Sequence, residues 1–295
     1  NYTVGYEKLN ARRTEWEWLL DRIFEQGKSL SALDRCIGQE IKELGKPAFR
    51  HQIVLGLPEA IRGQKDWGKL DGREMDFSKE EDQIAATKWY IGELVERFKA
   101  AKYKHLELSG FYWVAEDTHH CAELTIPLSE YIHSEGKLFY WIPYWQAKGH
   151  EEWKRLGFDV AYQQPNHFFN HSIPDSRLDE ACATARRHGM AMEFEFDEKA
   201  TAAIPNSSHD RMAAYINHFE KNDVFNSSAV AYYCGNRGVL TLNESDNPKD
   251  KALMDRLARI IQARRYLKYG IPMKNKTRVV AHRGFWHTDG SAQNS

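Results

Sequence analysis

The apolar residues of this chain switch period repeatedly, from the two-residue alternation of a strand to the one-face spacing of a helix. That switching confines the fold to the α/β class with a mostly parallel sheet. Six segments read as buried strands: Ile53–Leu57, Leu106–Phe111, Lys137–Ile142, Asp159–Gln163, Met190–Phe196 and Ala229–Cys234. Arg278–His282 is a weaker seventh, and one more before Tyr6 would make eight. The economical topology is then a (β/α)8 TIM-type barrel, irregular at its ends, formed by residues 1–295 as a single domain that includes an N-terminal helical segment over 14–45. The open doubly wound alternative lacks its usual Gly-rich first turn.

Capping patterns set the expected helices. Thr14-x-x-Glu17 opens the first and Gly27 stops it, while Ser31-x-x-Asp34 opens the second and Gly45 with Pro47 closes it. After a glycine-containing loop from Pro58 to Phe77, Ser78-x-x-Glu81 caps a long helix. Further helices are expected near Thr125–Ser134, Glu151–Leu156, Ser176–His188 and Arg211–Asn222, with Asn247 before Pro248 capping the last.

Charge removes some functions. Lys and Arg total 41 against 42 Asp and Glu, a formal charge of −1, so a binder dependent on nucleic-acid phosphates is disfavoured. The longest apolar runs are strand-sized, short of the roughly 20 residues a membrane span needs. The chain starts at Asn1 without Met, so removal of a signal or other upstream segment is expected, and the address is not read from it. Cys36, Cys121, Cys182 and Cys234 are scattered and read as free thiols, with neither disulfides nor a metal knuckle.

In a barrel, chemistry gathers where the strands end. Leu106 to Glu116 is a strand running out into Tyr112, Trp113 and Glu116, the last of which also reads as an ordinary loop acid. Pro143 ends another strand, so Trp141, Tyr144 and Trp145 suit an aromatic wall for a ring with apolar C–H faces and a hydroxyl rim. Gln163, Gln164, Asn166 and His167 end a third with amides and an imidazole suited to neutral, hydroxylated ligands. In Gly189 to Asp197 the two-residue alternation sets Met190, Met192, Phe194 and Phe196 on one face and Ala191, Glu193, Glu195 and Asp197 on the other. Three acids in line on an interior face are costly unless hydrogen-bonded or functional, and their crowding raises at least one pKa. The structural alternative is an interior ion-pair network with Arg211. His119, His120, His167 and His171 lack the fixed spacing of a metal site, so no metal and no cofactor is expected.

These segments resemble bacterial proteins grouped as domain-of-unknown-function family 4855, themselves grouped by likeness with TIM-barrel glycoside hydrolases. The resemblance rests on Gly110-Phe-Tyr-Trp113 with Glu116, Trp141-Ile-Pro-Tyr144 with Ala147-x-Gly149, and Trp153-x-x-x-Gly-Phe-Asp159. Gln164-Pro-Asn166 with Phe168-Phe169 and the run Gly189 to Asp197 complete it, so that it covers Ile53 to Tyr215. The family pattern has Tyr where His167 stands. The resemblance implies a glycosidase that acts on a poly- or oligosaccharide, secreted or otherwise extracytoplasmic. Such enzymes use two carboxylates flanking the scissile bond. Glu116 is then the acid/base and Glu195 the nucleophile or base, or the two roles are exchanged, and Glu193 orients a partner or shapes a pKa. Trp113, Trp141 and Tyr144 line sugar subsites, while Gln164, Asn166, His167 and Asp197 hydrogen-bond the sugar. Two other readings stand beside it: a non-catalytic carbohydrate-binding barrel, and a metal-dependent carbohydrate deacetylase or hydrolase.

Overall fold

The computed structural model describes residues 10–269. The chain forms two compact units, one from the residues up to Ile142 together with Ala147–Ala161, the other from Pro143–Gln146 and the chain from Tyr162 onward.

In the first unit α1 (Arg13–Ile23) and α2 (Ser29–Leu44) precede β1 (His51–Leu57), and a short hairpin of β2 (Lys69–Leu70) and β3 (Arg73–Glu74) precedes α3 (Glu80–Ala101). β4 (Leu106–Trp113), α4 (Ala122–Ser134) and β5 (Leu138–Trp141) follow. β4 lies between β1 and β5, parallel to both, and β5 pairs with Val160 and Ala161 at the start of β6 (Val160–Gln163). The N-terminal helices are held by aromatic packing. Trp16 meets Trp67 and Tyr90 edge-on, with ring centroids 5.2 and 5.6 Å away, and Phe77 closes the cluster. All four rings are buried, each removing from water an area worth about 1.5–3 kcal/mol for a Phe-sized side chain.

In the second unit Tyr162 and Gln163 of β6 pair with β7 (Ala191–Phe196), and β7 pairs with β8 (Val230–Cys234), again parallel. Its helices are α5 (Ser176–His188), α6 (His209–Lys221), α7 (Val224–Ser227), α8 (Gly238–Glu244) and α9 (Pro248–Tyr269). Phe194 of β7 packs on Tyr215 and Phe219 of α6 at 5.0 and 5.7 Å. Buried Asp250 in the first turn of α9 accepts the Ala202 N–H and the Ser245 and Thr201 hydroxyls, which ties the loop after β7 to that helix.

The class expected from the sequence is the one found, an α/β fold on a parallel sheet. Among the described residues that sheet has six strands, in the order β1-β4-β5-β6-β7-β8, where eight were expected. The two extra candidates, before Tyr6 and at Arg278–His282, lie outside the described residues. Each of the six expected strands is present within two residues of its expected ends. The expected helix at Glu151–Leu156 is instead one 3-10 turn, His150–Glu152, because Gly149 and Gly157 on either side adopt φ of 89° and 91°, which a continuing helix does not allow. The capping residues also differ. Glu15 reaches back to the Arg12 N–H at 2.8 Å, so α1 starts at Arg13, and the Ser31 hydroxyl is taken by the Gly27 N–H instead of capping α2. Ser78 bonds back to Asp76 at 2.6 Å and α3 begins one residue later than the pattern suggests, with Lys79 at the cap position. In the Pro58–Phe77 loop the glycines allow the β2–β3 turn that no strand-length apolar run announced.

Candidate active site

Strand β7 carries the expected alternation, but both of its faces are buried. Met192, Phe194 and Phe196 are at most 1% exposed, and so, nearly, are Glu193 at 2% and Glu195 at 0%. The acids therefore lie inside the protein, where charge is expensive.

Glu195 has the most elaborate setting. One carboxylate oxygen accepts the Gln164 amide at 3.2 Å, and the other accepts the His167 backbone N–H at 3.4 Å and the Tyr215 hydroxyl. Burial pushes its pKa above the usual carboxylate value against these donors, so its proton is held more tightly than in water. The same burial, with Glu195 and then Glu193 as neighbours, raises the Tyr215 phenol well above its usual value and keeps it a donor. Tyr215→Phe removes this hydrogen bond without a cavity. We expect a loss of about 1–3 kcal/mol in chemical denaturation; an unchanged midpoint would show that the bond adds nothing to the folded state.

Arg211, the expected ion-pair partner of these acids, is used otherwise. It donates to the backbone carbonyls of His167 and Ile173, and so braces the loop after β6. That loop is further fixed by Asn166. Its backbone is left-handed, with φ of 52°, which Asn tolerates, and its side chain accepts the Trp145 N–H at 2.6 Å. Gln163, fully buried, spreads its amide over the carbonyls of Pro143, Tyr144 and Gln164. Tyr144, exposed, and Gln164, half-buried, remain the accessible members of this group.

His167 is buried, with Nε2 at 2.8 Å from Asp175. Burial lowers its pKa to about 4, with Asp175 opposing the shift. A neutral imidazole that donates from Nε2 leaves Nδ1 as a buried acceptor, and Nδ1 makes no hydrogen bond among the described residues. A histidine whose folded-state pKa is depressed binds fewer protons folded than unfolded between pH 4 and 6.5, so stability falls as pH drops through that window. We expect His167 to account for about 3 kcal/mol at most of the loss, and His167→Gln to flatten the profile there. Equal slopes for both proteins by denaturant titration would sink that assignment.

Asp197 ends β7, where its side chain caps the 3-10 turn Glu198–Ala200 by accepting the Lys199 N–H at 2.8 Å. Burial raises its pKa. In the second unit the structure thus brings Gln164, His167 and Glu195 into direct contact, with Glu193 and Asp197 on the same strand face. The remaining expected residues belong to the first unit. Glu116 is exposed at the bend after β4. Trp141 is fully buried, its ring stacked on Phe158 at 4.9 Å and its indole N–H on the Ala115 carbonyl at 2.8 Å, while Trp113 is 2% exposed and packs edge-on against Phe139. Both rings are core side chains whose faces are covered.

Sequence reasoning missed Tyr215 and Asp175. Tyr215 lies on the buried face of α6, and a hydroxyl there requires a partner, which was the available signal. Asp175, just before α5, carried none.

A parallel α/β sheet with acids buried along one strand, one of them held by the Gln164 amide, defines the class. A family model for "Domain of unknown function (DUF4855)" matches residues 2–259, and the chain belongs to that family. A comparison with curated proteins finds no match. Among solved structures the chain is similar to a "putative alpha-L-fucosidase" from Bacteroides thetaiotaomicron VPI-5482, with 14% identity and a TM-score of 0.37 over 60% of this chain. The match spans 63% of that protein's length.

Proposed function

We propose that this protein is an extracytoplasmic bacterial glycoside hydrolase that cleaves a poly- or oligosaccharide on a barrel-type α/β fold. One observation carries the reading: Glu195 is a buried carboxyl near the end of a parallel strand, its pKa raised by burial, and fixed by a phenol and an amide. A glycosidase needs a carboxyl group with a tuned pKa and a fixed orientation, opposed by a second carboxylate. Glu116, exposed after β4, is the assigned partner. Gln164, His167, Asp197 and Tyr144 are assigned to the sugar's hydroxyls and ring, with Glu193 shaping the charge around Glu195.

The complete burial of Glu195, with both oxygens hydrogen-bonded, favours a second reading in which the acid is structural and the protein binds carbohydrate without cleaving it. One experiment separates the two. Native protein, Glu116→Gln and Glu195→Gln are incubated with plant, host and microbial glycans, with and without EDTA, and released sugars are quantified. Release by the native protein alone, insensitive to EDTA, supports the hydrolase. Turnover that survives both substitutions overturns the assignment, and binding without turnover by any variant establishes the second reading.

A further inference from the structure

With Trp113 and Trp141 covered, the rings open to a ligand lie elsewhere. Phe169, in the loop after β6, is 50% exposed, while Phe168 beside it is fully buried. A single exposed phenylalanine is ordinary on a protein surface, so its place in the fold has to carry the argument.

In the second unit β7 lies between β6 and β8, and Glu195 and Asp197 stand at its C-terminal end. Phe169 follows β6, yet its ring meets Tyr233, near the end of β8, at a centroid distance of 5.8 Å and an interplanar angle of 88°. Because the strands are parallel, that contact crosses the C-terminal end of β7. The ladder agrees with this placement. Tyr233 is the register partner of Glu195, and the His167 N–H, two residues before Phe169, donates to the Glu195 carboxylate at 3.4 Å. A Cβ on Gly235 would lie 3.0 Å from the Asp197 Cβ and 3.2 Å from the Tyr233 ring. Tyr233 and Asp197 therefore border the same spot, which glycine leaves free of a side chain.

The loop that carries Phe169 is fixed on both sides of the ring. Arg211 donates to the His167 and Ile173 carbonyls, His171 Nε2 lies 2.9 Å from the Ser208 hydroxyl, and the Asn170 side chain accepts the Ser172 N–H at 3.0 Å. An exposed ring on a braced backbone is ordered before a ligand arrives, so little conformational entropy is lost on binding. Phe169, the half-buried Tyr233 ring and the Asp197 carboxylate suit a ligand with an apolar C–H face and hydroxyl donors at its rim. A pyranose carries both on one ring.

We propose that Phe169 and Tyr233 form the sugar-ring platform of this site and seat a pyranose across the end of β7, with a hydroxyl toward Asp197. The choice of a pyranose rests on the glycoside-hydrolase reading. The platform takes the part that Trp113 and Trp141 were expected to play.

The test uses the full chain with ring-13C-labelled phenylalanine and tyrosine. It is titrated with the methyl glycosides of glucose, galactose, mannose, xylose and fucose, and separately with tetramethylammonium. Phe169→Ala and Tyr233→Phe assign the two ring signals by their loss. At least one glycoside should move both signals saturably. Read at Tyr233, its Kd should be about tenfold weaker in Phe169→Ala and within about twofold of native in Phe169→Tyr, which keeps the ring. Signals that no glycoside moves, or a Kd unchanged in Phe169→Ala, overturn the platform. So do signals that move with tetramethylammonium alone, the mark of a cation site, or with protein concentration alone, the mark of a contact between copies. The outcomes stay separable from those for hydrolysis. Glycan turnover with both signals unmoved removes the platform alone, while a saturable shift that depends on Phe169, without any turnover, removes the hydrolase alone.

Discussion

Glu195→Gln is expected to lower glycan turnover by about 10²–10⁴-fold, the range typical of a positioned acid or base, while leaving the protein at least as stable as the native form. The two halves of this prediction have the same origin. Glutamine has the shape of glutamate and can still accept the Tyr215 hydroxyl with its amide oxygen. Its new NH2 group needs an acceptor, and Gln164 can supply one by flipping its amide, because its Oε1 is buried and makes no hydrogen bond among the described residues. The substitution therefore leaves no forced orphan. A carboxyl whose folded-state pKa is raised contributes stability that is full below its unfolded value and is lost as pH rises through its folded value. The amide of the variant does not ionise, so its advantage over the native protein should grow from about pH 5 to about pH 8. A carboxyl kept for structure alone gives the opposite result, a variant less stable across that range. Paired thermal melts at the two pH values decide the point, and turnover equal to the native rate would remove Glu195 from the mechanism.

How much of this site was legible depended on whether the determining contact was local. The alternation in Met190 to Asp197 needs only neighbouring residues, and it correctly set Glu193, Glu195 and Asp197 on one strand face. The burial of both faces of β7 depends on what packs over each, and alternation carries no information about that. Trp113 and Trp141 were read as ring platforms because they end strands, yet Phe139 and Phe158 cover them, a pairing made by tertiary packing. Arg211 was matched to the acids by charge, but carbonyls left by the loop after β6 claimed it first. Tyr215, 20 residues from Glu195, is a long-range partner that periodicity does not pair. Helix starts failed for a related reason: Ser31 and Ser78 have the expected residue type, but each hydroxyl found a nearer use.

Gly110→Ala should strongly destabilise the first unit. Gly110 sits within β4, paired with Leu138 of β5, and a Cβ at that position would lie 2.2 Å from the Leu138 carbonyl oxygen and 2.7 Å from the Tyr140 ring. The ring can turn, but the carbonyl belongs to the neighbouring strand and cannot move without separating β4 from β5. Overpacking a core usually costs about 1–3 kcal/mol, and a backbone obstacle puts this substitution at about 3 kcal/mol or more. For a chain of 295 residues that is a fall in Tm of about 5 °C or more. Gly92→Ala is the control. Inside α3 its Cβ would meet the Tyr131 hydroxyl at an ordinary 3.4 Å, and replacing a mid-helix Gly by Ala gains about 1 kcal/mol of helix propensity. If Gly110→Ala melts no lower than native, the close approach of the two strands is not the reason for glycine in the Gly-Phe-Tyr-Trp113 segment. If it melts as expected, the same separation should also move the Trp113 indole resonance, since Trp113 pairs with Trp141 at the end of the same ladder.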